Sequence, residues 1–90
     1  MQAIAALPRQ FTFEILLKTD LPRARHEIME MLRVLEPRED GVVLRGSADG
    51  LDWLTRELAR LPFDLVVHEP EQLRDALRKR ALELTNLAGA

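Results

Sequence analysis

Val34-Leu35-Glu36-Pro37-Arg38-Glu39-Asp40-Gly41-Val42-Val43-Leu44-Arg45-Gly46 is the stretch whose reading decides the fold. It reads as two strands around a tight turn. Asp40-Gly41 ahead of a β-branched run is a strong hairpin signal, because glycine takes a positive φ at no steric cost. Pro37 has no N–H to give to a ladder, so its strand is acceptable only at a sheet edge. Any architecture for this chain must therefore put the first strand of the hairpin on the outside.

Upstream, Phe11-Thr12-Phe13-Glu14-Ile15-Leu16-Leu17-Lys18 is the clearest strand. Phe11, Phe13, Ile15 and Leu17 face one way, and Thr12, Glu14, Leu16 and Lys18 the other. Thr19, Asp20 and Pro22 then supply a helix start. Ala24, Ile28, Met31, Leu32 and Leu35 recur at helical spacing behind it. Downstream of the hairpin, Ser47 or Asp49 is placed to cap a second helix with Leu51, Leu54, Leu58 and Leu61 on its apolar line. Phe63, Leu65 and Val67 alternate with Asp64 and His68 as a last strand. Pro70 stops that strand and is suited to the first position of a helix, where Glu69 and Glu71 favour the exposed amides. Leu73, Ala76, Leu77, Ala81 and Leu84 give this last helix its stripe. The order is β-α-β-β-α-β plus one helix. Two split βαβ units in that order predict an α+β, ferredoxin-like sandwich with an extra C-terminal helix, and they place the second strand at the edge that Pro37 requires.

Residues 1–10 read as a linker or lead-in, 11–87 as a single domain and 88–90 as a tail. With 90 residues, one modest core is available and a deep enclosed active site is not expected. The formal net charge of −2 argues against a general affinity for nucleic-acid phosphates. There is no cysteine, which removes disulfides and thiolate metal sites. No apolar run approaches the ~20 residues of a membrane span, and the start lacks the pattern of a signal peptide, so a cytoplasmic location is expected.

The run Leu61-Pro62-Phe63, followed by Val67-His68-Glu69-Pro70-Glu71-Gln72-Leu73-Arg74 and a charged helix, resembles the end of bacterial WYL-domain transcriptional regulators. Their C-terminal extension, WCX, closes with a strand and a P-x-x-L-R run opening the last helix. Leu51-Asp52-Trp53-Leu54 is similar to the family's preceding helix. The resemblance covers the second half well and the first half in its order of elements. The WYL signature itself is absent, and the chain has no tyrosine. The resemblance implies a piece of a larger regulator, with a helix-turn-helix and an effector-sensing WYL domain N-terminal to it. It implies a module that assists effector sensing and subunit assembly rather than contacting DNA itself.

Alternation puts Glu14, Leu16, Arg45, Val66 and His68 on the sheet face turned away from the first two helices. That face is too apolar to be left bare and too polar to be core. The last helix folding back over it and a second copy, as a homodimer, are the two competing covers, and a face that contacts an effector is the other reading of these residues. Trp53 is offset from the Leu51/Leu54 line and reads as half-buried, an interface anchor or an edge of the core. Arg74, of the P-x-x-L-R run, is a candidate polar contact, or else pairs with Glu71 or Asp75. His26 and Glu30 lie one turn apart but lack a third ligand, so no metal site is expected. Catalysis is not expected either, and no cofactor. The first strand-to-helix loop, Lys18-Thr19-Asp20-Leu21-Pro22, has no glycine to bring amides onto an anion. The same loop weakens the alternative of a free-standing ACT-like small-molecule sensor.

Overall fold

The computed structural model describes residues 11–28 and 34–89. The elements run β1 (Phe11–Leu17), α1 (Leu21–Glu27), β2 (Val34–Arg38), β3 (Gly41–Ala48), α2 (Asp52–Arg60), β4 (Leu65–Glu69) and α3 (Glu71–Leu87). The four strands form one antiparallel sheet in the order β2-β3-β1-β4. The hairpin β2–β3 closes through Glu39 and Asp40, with Arg38 opposite Gly41. Pro37 therefore lies in an edge strand, where a missing N–H costs least.

Alternation builds the core. Phe13, Ile15 and Leu17 of β1 lie beside Leu44 and Val42 of β3 and Val67 of β4. Ala24 of α1, Leu54 and Leu58 of α2 and Leu73 of α3 close over them in one cluster. Burying a side chain of the size of Leu54 or Leu73 contributes about 1.5–3 kcal/mol. Asp20 caps α1 by accepting from the Arg23 N–H at 2.9 Å, with Pro22 in the first turn.

Several expectations shift. α1 ends at Glu27 with Ile28 as its C-cap, and Leu35 belongs to β2, opposite Leu44. Cross-strand pairing wins there over the helical spacing; Met31, Leu32 and Glu30 lie outside the described residues. Leu51, rather than Ser47 or Asp49, is the N-cap of α2, and it makes no side-chain cap bond. Ser47 is still in β3, paired with Thr12. Phe63 precedes β4 and packs against the core with the Arg23 guanidinium 5.6 Å from its ring centre. Pro70 is the N-cap of α3, not its first helical residue, and the Glu69–Pro70 peptide is cis.

The last helix does not fold over the free sheet face. α3 packs on β4 and α2, with Leu73 buried and Leu77 partly buried in the common core. Its stripe had to choose one side, and the core side offered Leu54, Leu58 and Val67. Beyond Arg80 every described residue of the helix is exposed, Leu84 included, so the stripe runs past the body of the domain. Among the described residues no helix is long and apolar enough to cross a membrane.

Candidate functional site

The face of the sheet turned away from the three helices carries two rows, each crossing several strands. Its membership follows from register. Arg45 lies opposite Glu14 on β1 and Val34 on β2, and Val43 lies opposite Leu16 and Glu36. Leu16 in turn faces Val66 on β4. At the other end of β4 the pairing shifts between Glu14 and Ile15, which leaves His68 as the extra residue of a bulge beside Glu14.

The polar row is Glu36, Arg45, Glu14, His68. Arg45 donates through Nε to Glu14 Oε1 at 3.1 Å and through Nη1 to Glu36. Glu14 uses its second oxygen for His68 Nδ1, 3.0 Å away, and Arg38 stands 3.5 Å from Glu36. One guanidinium thus bridges two carboxylates, while the imidazole takes the remaining oxygen of Glu14. The hydrogen bond from His68, and then that from Arg45, holds the Glu14 carboxyl below its ordinary range. Arg45 does the same for Glu36, helped by the charge of Arg38, and the two carboxylates together raise Arg45. Carboxylates held in this way stay ionised and serve as acceptors.

The apolar row is Val43, Leu16, Val66. Leu16 and Val43 are buried, at 6% and 1% exposure, whereas Val66 at the β4 edge is 41% exposed. Leu16 thus lies on the face that alternation gives it, but buried within it. It sits between Val43 and Val66, and its Cδ1 is 3.2 Å from where a Cβ on Gly41 would lie. The glycine leaves room for it.

Arg74 does not join the face as a free contact. Its Nε and Nη2 reach the Val67 carbonyl at 3.1 and 2.8 Å, Nη2 also reaches the His68 carbonyl at 3.2 Å, and Nη1 bonds Glu71. It clasps the outer strand β4 to the start of α3. Trp53, 38% exposed, stands on α2, on the other side of the sheet from these rows. The structure so brings Glu14, Leu16, Arg45, Val66 and His68 together, hangs Arg74 from the back of His68 and leaves Trp53 apart. Glu36, Arg38 and Val43 are members that sequence reasoning missed. The signal was present, since a two-residue turn fixes which β2 residues share a face with Arg45. Among the described residues no group of three or more histidine, aspartate or glutamate side chains is placed to hold a metal ion.

A family model described as WCX domain matches residues 11–85. The comparisons with curated proteins and with solved structures gave no match. The matched segment takes in all four strands, both rows of the free face, the Arg74 clasp and all but the last two residues of α3. On that span, the chain belongs to the WCX domain family.

Proposed function

We propose that this domain is a non-catalytic regulatory and oligomerisation module of a WYL-type DNA-binding transcriptional regulator. In this reading it assists effector sensing and subunit assembly, while DNA contact falls to other domains of the full protein. The regulatory part rests on the WCX match over residues 11–85. The element order and the strand order β2-β3-β1-β4 support reading the fold as a ferredoxin-like sandwich with an added helix.

The assembly part rests on one observation, the free sheet face. All three helices send their buried residues to the other side, while Val66 is 41% exposed beside the buried pair Leu16 and Val43. An antiparallel sheet is left solvated comfortably on a face only when that face is polar, and on this one Val66 and Val34, opposite Arg45, stand exposed at 41% and 59%. Association through the sheet edges is disfavoured. β2 carries Pro37, and the β4 carbonyls of Val67 and His68 are occupied by Arg74. The partner we assign to the face is a second copy of this chain, and an effector that shifts the population of assembled states would act through it.

Light scattering at high micromolar concentration tests the assignment. The parent is expected to show a mass above that of one chain, and Val66→Glu to return it to the monomer with its circular dichroism unchanged. A parent that is strictly monomeric, or a folded Val66→Glu variant of unchanged mass, removes the assembly role from this face.

A further inference from the structure

A groove of about 140 Å³ lies between α2 and α3, away from the sheet face. α2 contributes Asp52, Thr55 and Arg56 to it, and α3 contributes Ala76, Lys79, Arg80 and Glu83. Ala76 is the one apolar side chain among them. Thr55 is buried at 3% exposure, and its hydroxyl is already spent on the Asp52 carbonyl at 2.7 Å. The groove thus holds three cations against two carboxylates, in a chain whose net charge is −2.

The pairing within it is uneven. Arg80 is engaged by Glu83 at 3.3 Å. On α2 and α3, Arg60, Arg74 and Arg78 likewise have carboxylate partners. The side chains of Arg56 and Lys79 have no ion pair or hydrogen bond among the described residues, although each has a carboxylate one helical turn away on its own helix. Asp52 precedes Arg56 by four residues and Glu83 follows Lys79 by four, the spacing at which such side chains normally meet. Two cations from two helices therefore line one groove with their charge unspent.

We propose that the α2–α3 groove binds a small oxyanion of the phosphomonoester class, held between Arg56 and Lys79. The guanidinium offers a planar pair of N–H donors and the ammonium a point charge, a combination that suits a compact dianion with several acceptor oxygens. A monocarboxylate would be satisfied by either cation alone and gains little from both. Asp52 is the groove's uncommitted carboxylate and opposes the ligand. The site lies on the helix layer, so it stands or falls separately from the assembly surface around Val66.

The test is a titration of the ¹⁵N-labelled chain with inorganic phosphate, above its second ionisation and at ionic strength held constant with sodium chloride. Saturable shifts are expected at amides around Arg56 and Lys79. Arg56→Gln and Lys79→Gln should each weaken binding by about fivefold or more, and Asp52→Asn should tighten it by about twofold to threefold. Val66→Glu should leave the affinity unchanged. Shifts no larger than those produced by chloride, or saturation that persists equally in both cation variants, would overturn the site. Equal affinity for acetate would overturn the phosphomonoester assignment.

Discussion

At Gly41 the hairpin passes so close to β1 that a Cβ would stand 2.3 Å from the Leu17 carbonyl oxygen, with φ at +150°. Both the backbone angle and the space exclude a side chain, and the obstructing atom is main chain, which cannot swing away. Gly41→Ala is expected to destabilise the domain by on the order of 2 kcal/mol or more, read from the urea midpoint. Gly50→Ala is the control, because nothing lies within 4 Å of its Cβ, and it should stay within about 0.5 kcal/mol of the parent. Equal midpoints for the two variants would refute the close-approach account. Arg45 is the second residue whose role is sharply defined. Arg45→Met should raise both the Glu14 and the Glu36 carboxyl toward the ordinary glutamate range, followed by carbon-detected NMR titration. The sign for stability follows from the lowered values. The contribution of these pairs is present above the unfolded carboxyl pKa and is lost as pH falls through the folded one. The parent should therefore lose more stability on acidification than Arg45→Met. Identical acid limbs would mean that the row contributes nothing measurable.

Among the elements, α3 shows how a short motif acts. Glu71, Leu73 and Arg74 sit at its start, and each does a different job. Glu71 stands in the first turn, Leu73 is buried in the core, and Arg74 reaches back to the carbonyls of Val67 and His68. An outer strand is blunted and a helix is anchored by one side chain. Arg74→Met should cost about 1–2 kcal/mol, because two carbonyls lose a charged donor. Arg74→Lys should recover only part of it, since a single ammonium cannot span both carbonyls as the planar fork does. Full recovery by lysine would show that charge alone matters and not the clasp. α2 teaches the complementary lesson. Its leucine line Leu51, Leu54, Leu58, Leu61 was legible as a helical face, and Leu54 and Leu58 are buried as that phase requires. Thr55 was not legible as a buried residue. Its burial depends on α3 lying alongside and on a hydroxyl bond to the Asp52 carbonyl that satisfies it.

For the whole molecule, the proposed accessory role makes a prediction about DNA. Duplex DNA titrated at physiological salt is expected to show no sequence-dependent binding by this chain. Its net charge is −2, and the arginines of the sheet face and α3 are largely engaged by carboxylates and carbonyls. Tight, sequence-selective binding would defeat the accessory reading. At this scale too the division between pattern and packing is plain. Strand phases, the hairpin turn ahead of Gly41, the edge position of Pro37 and the order of elements were all readable from local periodicity and turn chemistry. Period and turn chemistry act within one segment, and they orient each residue relative to its own backbone. The row Glu36–Arg45–Glu14–His68 could not be read in full, because it needs the register of four strands and a bulge at His68. Nor could the choice of α3 for the core side, the burial of Leu16 over Gly41, or the meeting of Arg56 and Lys79 in one groove. Each of these joins segments distant in the chain, and only the mutual packing of the sheet and its three helices decides which of them meet.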